Sequence, residues 1–157
     1  RATAQNKQVA CRVVCEEELE GYFDPEMLKK IVQNLVGTAI KYTAPGGSIA
    51  VAVSGEQVNG QQMLRLVVED TGSGIGPEHL RRVFERFYRI PEKSIVDGSG
   101  IGLNLTKELV DLLGGRIQAE SPIYDDANRP GSRFVILLPL DRTDSVDGEA
   151  TEVQNAN

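Results

Sequence analysis

The sequence Asp-Thr-Gly-Ser-Gly-Ile-Gly, at residues 70–76, follows directly on the apolar run Leu-Arg-Leu-Val-Val-Glu at residues 64–69. Its alternate glycines let the backbone approach a flat ligand with no Cβ in the way. A carboxylate at the end of a strand accepts hydrogen bonds and cannot donate them, so Asp70 suits an exocyclic amino group such as that of adenine. An ordinary glycine-rich turn after a strand is the alternative when the segment is taken alone.

A second glycine-rich segment, Gly-Ser-Gly-Ile-Gly at residues 98–102, precedes a stretch whose apolar spacing predicts a helix over 101–113. Unpaired amides and the helix dipole at such an N-terminus favour phosphate groups. The segment is not a Walker loop because no Gly-Lys-Ser/Thr follows, and its strand context does not fit a dinucleotide-binding fold. Phosphate binding and a plain loop leading into a helix are both consistent with it.

A polar stripe marks the first predicted helix, which begins at Asp24-Pro25 and ends before Pro45-Gly46-Gly47. Asn34, Thr38 and Lys41 are spaced by four and three residues, so they share one face of this otherwise apolar helix. A ligand-binding face and the solvated side of an amphipathic helix both explain the stripe.

The remaining periodicities predict a strand over 9–15, a hairpin around Asn59-Gly60, a second helix from Pro77, and strands over 116–120 and 133–138. We expect the hairpin connection to be longer than two residues. The predicted buried face of the second helix carries Leu80, Val83, Phe84 and Phe87, and that of the third helix carries Ile101, Leu105, Leu109 and Leu112.

This order of elements predicts an α+β fold. Strands and helices do not alternate strictly, so the simplest arrangement is a two-layer sandwich, with one mixed sheet of about five strands and three helices on one face. We expect one domain over residues 9–140, preceded by a linker remnant at 1–8 and followed by a flexible tail or linker at 141–157.

The composition limits the classes of function. The 157 residues carry a net charge of −6 with no basic block, which argues against a nucleic-acid-binding surface. No run of about 18 apolar residues predicts a membrane span, so we expect no direct membrane contact. Cys11 and Cys15 are too few for a zinc site of cysteines and too far apart on one strand to bridge, so we interpret them as structural thiols.

Taken together and in this order, the three segments resemble the ATP-binding catalytic domain of sensor histidine kinases. This domain has the Bergerat fold of the superfamily that includes gyrase B, Hsp90 and MutL. Residues 34–43 match the family's N box, residues 70–76 its first glycine box, and residues 98–103 its second glycine box. Val-Phe-Glu-Arg-Phe-Tyr-Arg, at residues 83–89, matches the F box, which is the most discriminating of the four. Residues 97–107 are similar to hybrid two-component sensors.

The resemblance implies a role for each matching position. Asp70 would hold the adenine amino group, Tyr42 would pack near the ring, and Lys41 would reach the phosphates. Residues 88–100 would form a lid over the phosphates. Arg86 and Arg89 are weaker candidates for the γ-phosphate, with a surface salt bridge as the alternative. The implied nucleotide-binding residues are Asn34, Lys41, Tyr42, Asp70, Gly72, Gly74, Gly76, Arg86, Gly98, Gly100, Gly102 and Leu103.

The sequence departs from the family at one metal-binding position. The resemblance implies Mg²⁺ as a second cofactor, held by Asn34 and by a second asparagine four residues later, where this chain has Thr38. Magnesium requires near-ideal octahedral oxygen ligation, and threonine offers a hydroxyl on a shorter arm. We therefore expect weaker Mg²⁺–ATP binding or turnover than in a Thr38→Asn variant.

The implied function is that of a protein histidine kinase. The phosphate acceptor would be a histidine on a dimerisation domain of the same parent, with a response regulator receiver domain downstream. His79 lacks an H box around it, so we interpret it as a helix surface residue and expect no autophosphorylation by this fragment, which holds no catalytic acceptor. We expect a cytoplasmic domain of an inner-membrane sensor.

Two alternatives stay open. One is a degenerate nucleotide domain that acts as a non-catalytic docking module, which Thr38 favours. The other is a gyrase-like ATP-driven clamp, which needs a carboxylate that the face of Asn34, Thr38 and Lys41 does not carry.

Overall fold

The computed structural model describes residues 8–15, 24–86, 88 and 102–140. The predicted linker and tail lie outside this range apart from residue 8, as do Phe87, Arg89, Gly98 and Gly100. In chain order the elements are β1 (Ala10–Cys15), α1 (Pro25–Tyr42), β2 (Ser48–Val58), β3 (Gln61–Asp70), α2 (Pro77–Leu80), α3 (Gly102–Leu112), β4 (Arg116–Glu120) and β5 (Ser132–Pro139).

The described strands form one five-stranded sheet in the order β1-β2-β3-β5-β4. β1 pairs with β2 in parallel, and the other three pairings are antiparallel, so the sheet is mixed as predicted. Fully buried residues of α1, such as Ile31 and Leu35, share a core with Leu66 and Val68 of β3 and with Ile136 of β5. The predicted α+β arrangement of helices against one sheet is confirmed.

The first helix begins where its N-cap was predicted. One carboxylate oxygen of Asp24 accepts hydrogen bonds from the backbone N–H groups of Glu26 and Met27, at 3.0 and 3.3 Å. Pro25 occupies the first turn, where its missing N–H costs nothing. The buried Thr43 hydroxyl donates to the Ala39 carbonyl at 2.7 Å and fixes the other end of the helix, beside the functional site.

The hairpin connection is shorter than the sequence predicted. Val58 pairs with Gln61, so Asn59 and Gly60 alone form the turn. Both have positive φ angles, +52° and +79°, as a type I′ turn requires. The prediction of a longer connection was wrong because β2 and β3 continue through polar residues that the apolar alternation does not detect.

The second predicted helix is also shorter than expected. α2 ends at Leu80, and the chain continues through turns in which every third amide bonds to the carbonyl three residues earlier. Arg82 bonds in this way to His79, and Glu85 to Arg82. These turns bury Val83 and half-bury Phe84 without forming a regular helix. The apolar spacing therefore predicted the burial of these side chains correctly and the length of the helix wrongly.

The buried face of the third helix includes Leu109, as predicted, but not Leu105 or Leu112. Its fully buried residues are Thr106 and Val110, with Leu109 beside them, whereas Leu112 is 75% exposed and Leu105 is also exposed. The polar type of Thr106 concealed the true inner face, which packs against α1 and β4.

The structure also shows the surroundings of His79 and of the two cysteines. His79 is only 8% exposed and shares a hydrogen bond through Nδ1 with the Tyr88 hydroxyl, so its assignment to the helix surface was wrong. The imidazole also contacts the Tyr88 ring, with the ring centroids 5.8 Å apart. Cys11 and Cys15 are both thiols, and no disulfide joins them. No helix within the described ranges is long and apolar enough to cross a bilayer.

Candidate functional site

An open cleft of about 370 Å³ lies where the last turn of α1 meets the end of β3 and the start of β5. Five of the residues predicted from the sequence line it, and five more were not predicted as part of the site. The lining residues are Thr38, Tyr42, Asp70, Ser73, Gly74, Ile75, Val83, Leu103, Ser132 and Phe134.

The polar floor of the cleft is made by Asp70 and Ser132. They are register partners on β3 and β5, so their side chains point to the same face of the sheet. Asp70 is 5% exposed and Ser132 is 4% exposed. The Gly72 amide donates to one carboxylate oxygen of Asp70 at 2.8 Å, which offsets part of the cost of burying the charge. The floor therefore presents a hydrogen-bond acceptor of fixed orientation.

The three glycines of the 70–76 segment differ in why the structure requires a glycine at that position. A Cβ on Gly72 would lie 2.4 Å from the Tyr42 carbonyl oxygen, so this glycine lets the loop pack against the end of α1. Gly74 has a φ of +79°, and a Cβ there would lie 2.9 Å from the Pro130 ring. Gly76 has an ordinary φ of −67° as the N-cap of α2, where a Cβ would meet only the flexible end of Glu78. Two of the three glycines are required by neighbours that the sequence did not identify.

The loop between β4 and β5 supports this glycine segment from outside the cleft. The Gly131 amide donates to the Gly72 carbonyl at 3.0 Å. The Ser121 hydroxyl accepts from the Ile75 amide at 2.8 Å and donates to the Gly131 carbonyl at 2.6 Å. Sequence analysis missed Ser121 and Gly131 because their partners lie far away along the chain. The one local signal is a glycine directly before β5, where φ is +76°.

The walls of the cleft are apolar. Val83 and Phe134 are almost fully buried, and Leu103 and Ile75 are half-buried. Phe84 supports Phe134 from behind in an edge-to-face contact, with the ring centroids 6.3 Å apart and an interplanar angle of 74°. A flat apolar ring fits between such walls, with a polar edge directed at the floor.

Asn34 and Thr38 lie one turn apart on α1, and Thr38 reaches the cleft. The Asn34 side-chain nitrogen is buried and has no hydrogen-bond partner among the described residues. Buried amides are nearly always paired, and rotation of this amide would put its carbonyl oxygen in the same place. The side chain therefore fits an additional polar group or ion at this face. The described ranges contain no cluster of three His, Cys, Asp or Glu side chains that could hold a metal.

The cationic candidates are peripheral to the cleft. Lys41 lies in the last turn of α1, half-buried, and Arg86 is exposed at the end of the turns after α2; neither lines the cleft. Asn34, Gly72 and Gly76 do not line it either. Gly102 begins α3 and is followed by the lining residue Leu103.

Charged residues occupy the reverse face of the sheet, directly behind the floor. Arg133 Nε donates to Glu69 at 2.6 Å and Arg133 Nη1 donates to Glu120 at 2.8 Å. These bonds, with Glu120 the larger contributor, raise the pKa of Arg133. Burial, followed by the negative charge of Glu69, raises the pKa of Tyr124. The cluster ties β3, β4 and β5 together at the end that carries Asp70 and Ser132.

Comparison with known sequences identifies one family. The pattern described as histidine kinase-, DNA gyrase B-, and HSP90-like ATPase matches residues 23–142. Sensor histidine kinase Hik2 of Synechocystis is 38% identical over 116 residues, which cover 71% of this chain and 27% of the relative. Sensor histidine kinase CusS of Escherichia coli O157:H7 is 37% identical over 141 residues, which cover 88% of this chain and 27% of the relative. Hybrid signal transduction histidine kinase C of Dictyostelium discoideum is 33% identical over 145 residues, covering 90% and 12%. The chain thus spans about a quarter or less of each relative.

Solved structures agree with this result. The mycobacterial sensor histidine kinase MprB superposes with a TM-score of 0.73 at 29% identity, covering 88% of each chain. Full-length ShkA, solved in complex with AMPPNP, gives a TM-score of 0.68 at 25% identity, covering 88% of this chain and 27% of that one. The nucleotide-free catalytic domain of histidine kinase ThkA gives a TM-score of 0.72 at 22% identity, covering 89% of this chain and 86% of that one. At this identity the likeness shows the shared fold alone.

Proposed function

The chain belongs to the histidine kinase-, DNA gyrase B-, and HSP90-like ATPase family, and from this premise we propose that it is the ATP-binding catalytic domain of a sensor histidine kinase. The observation that carries the proposal is the buried Asp70 carboxylate on the floor of an apolar cleft. The ShkA neighbour, solved with an ATP analogue, supports a nucleotide as the ligand.

The cleft discriminates between purine bases through Asp70. An adenine ring between Val83, Leu103 and Phe134 directs its exocyclic amino group at the carboxylate, which accepts that hydrogen bond. A guanine in the same position directs a carbonyl oxygen at the carboxylate, and two acceptors in a desolvated site repel one another. Adenine nucleotides therefore fit the floor.

The triphosphate extends from the cleft towards the N-terminus of α3. Gly102 begins this helix, so its first amides and the helix dipole favour phosphate oxygens. Lys41 adds a positive charge from the last turn of α1. Gly98, Gly100 and the proposed lid at 88–100 lie outside the described residues, apart from Tyr88. Phosphoryl transfer depends mainly on positioning and charge neutralisation, which these groups supply.

Mg²⁺ fits the face of α1 that carries Asn34 and Thr38, where a buried amide lacks a partner within the described part of the chain. Asn34 would hold the ion through its carbonyl oxygen, and Thr38 would contribute a hydroxyl, directly or through water. When bound, the ion neutralises charge on the phosphates. The residues of this chain bind the base, orient the phosphates and exclude water around the buried floor.

We place the acceptor histidine on a dimerisation domain of the parent protein, with a response regulator receiver domain downstream. The relatives support this, since each is several times longer than the matched segment and one is a hybrid kinase. The parent would be an inner-membrane sensor with this domain in the cytoplasm. The fragment alone would not autophosphorylate, because buried His79 already bonds Tyr88.

The competing proposal is a docking module that has lost catalysis, and Thr38 in place of the family's asparagine favours it. Titration of labelled ATP, with and without Mg²⁺, separates the two. We expect wild-type binding and about 100-fold weaker binding by Asp70→Ala, since a hydrogen bond to a charged group contributes up to about 3 kcal/mol. Undetectable wild-type affinity would support the docking module. Equal affinities of the two proteins would contradict the proposed base-binding mode.

A further inference from the structure

We infer that Ser121 is a positioning residue for the nucleotide base, acting through the glycine-rich loop at residues 71–76. The inference rests on the proposed function. Ser121 does not line the cleft; it follows β4 and lies behind the loop that forms one wall. Its contribution to binding is therefore indirect and is exerted through Gly74 and Ile75, which do line the cleft.

The Ser121 hydroxyl uses both its acceptor and its donor capacity. It accepts from the Ile75 amide at 2.8 Å and donates to the Gly131 carbonyl at 2.6 Å. A hydroxyl can do both at once, whereas a methyl group can do neither. Ile75 lies 46 residues away in the glycine-rich loop, and Gly131 lies 10 residues away at the other end of the loop between β4 and β5, so the Ser121 hydroxyl joins the two loops through a single atom.

The glycine-rich loop needs such a constraint because its glycines can adopt a wide range of backbone conformations. Gly74 has a φ of +79°, and the loop has no regular secondary structure between the end of β3 and α2. Other bonds of the loop include those from the Gly131 amide to the Gly72 carbonyl, from the Gly72 amide to Asp70, and from the Thr71 amide to the Ser48 carbonyl. These three lie at the β3 end of the loop, whereas the Ser121 hydroxyl holds Ile75, in the cleft wall.

Loss of this tie lowers affinity without removing a ligand contact. If the loop samples other conformations, the apparent dissociation constant rises by the inverse of the fraction that is competent to bind. Because the affected wall contacts the base, adenosine and ATP lose affinity by the same factor. This separates Ser121 from residues at the phosphates, whose loss weakens ATP and leaves adenosine unchanged.

The test compares Ser121→Ala, Ser121→Thr and the wild type by calorimetric titration with adenosine and with ATP. We expect Ser121→Ala to weaken both ligands about fivefold, consistent with one lost hydrogen bond, and Ser121→Thr to restore affinity because it keeps the hydroxyl. Ser54→Ala, a half-buried serine in the middle of β2, is the matched control and leaves both affinities unchanged. If the alanine variant does not fold, Ser121→Cys preserves volume with a much weaker hydrogen bond and is expected to show the same loss.

Amide hydrogen exchange of Ile75, measured without nucleotide, provides a second readout. We expect exchange to accelerate in Ser121→Ala and to be normal in Ser121→Thr. Faster exchange with unchanged adenosine affinity would overturn the positioning role and leave only a structural one. A wild-type protein that binds neither ligand would overturn the proposed function and the inference together, whereas wild-type binding with no effect of Ser121→Ala would overturn the inference alone.

Discussion

Asp70 and Ser132 face one another across β3 and β5 as register partners, and the side chains of both are almost completely buried. Glu69, just before Asp70, and Arg133, just after Ser132, form an ion pair on the opposite face of the sheet. The floor of the cleft and the charged cluster behind it therefore lie on opposite faces of the same pair of strand ends.

Replacement of Asp70 by asparagine tests the base-recognition chemistry without removing the loop contact. Asparagine keeps an oxygen for the Gly72 amide, but it can offer a donor where the carboxylate offered only acceptors. We expect ATP affinity to fall about tenfold and the preference for ATP over GTP to shrink. Competition binding with both nucleotides measures this, and an unchanged ATP-to-GTP ratio would rule out the assigned role of Asp70.

Gly72→Ala should destabilise the fold, whereas Gly76→Ala should not. The new Cβ at residue 72 would collide with the Tyr42 carbonyl, and overpacking of this kind costs about 1–3 kcal/mol. At residue 76 the Cβ meets only the mobile carboxylate of Glu78. Urea denaturation of the two variants checks the difference; similar midpoints would show that the loop can move away from α1.

Thr38→Asn should increase the gain in ATP affinity that Mg²⁺ provides. The longer side chain supplies a carbonyl oxygen at the place where the Asn34 amide is buried without a partner in the described chain. We expect about a tenfold larger Mg²⁺-dependent gain, equivalent to about 1.4 kcal/mol. Titrations with ATP and with adenosine, each with and without Mg²⁺, provide the measurement. Adenosine is the control, since it carries no phosphate, and identical Mg²⁺ dependence of both proteins would contradict the prediction.

Tyr124→Phe should reduce the loss of stability at alkaline pH. Burial and Glu69 raise the pKa of Tyr124 above its ordinary value of 10.0, so the folded chain retains the phenol proton more tightly than the unfolded chain. The contribution of the protonated phenol to the free energy of unfolding is complete below pH 10 and is lost as the pH rises through the raised pKa. Urea midpoints of both proteins at about pH 8 and about pH 11 test this. A steeper alkaline loss in the variant would refute it.

Two substitutions in α3 test which face of this helix is buried. Val110→Ala removes fully buried methyl groups and should cost about 1–3 kcal/mol of unfolding free energy. Leu112→Gln changes a side chain that is 75% exposed and should change stability by less than about 0.5 kcal/mol. Thermal or urea denaturation ranks the two, and the reverse order would indicate that Leu112 faces the core.

Local chemistry made much of this molecule predictable. The N-cap at Asp24, the strand pattern around Leu66 and the carboxylate at the end of β3 are each specified by a few adjacent residues. Asp70, Tyr42 and Thr38 line one cleft, and their roles in nucleotide binding stay predictions. The roles of Lys41 and Arg86 at the phosphates stay predictions, since neither lines that cleft.

What the sequence did not predict depends on contacts between distant segments. Ser121 meets Ile75 across 46 residues, and no local pattern distinguishes it from other loop serines. Thr106 is polar yet fully buried, so the apolar spacing wrongly put Leu105 and Leu112 on the buried face of α3. The turns after α2 bury side chains at helical spacing without forming a helix, and the period alone cannot separate the two cases.

The two-residue turn at Asn59 and Gly60 lies at the opposite end of β3 from Asp70. β3 has ten residues, from Gln61 beside the turn to Asp70, and spans about 30 Å. A fluorophore or an epitope inserted at this turn would sit remote from the cleft while remaining fixed to the strand that carries the recognition carboxylate. The hairpin tip is therefore an attachment point for a label that leaves the cleft unobstructed.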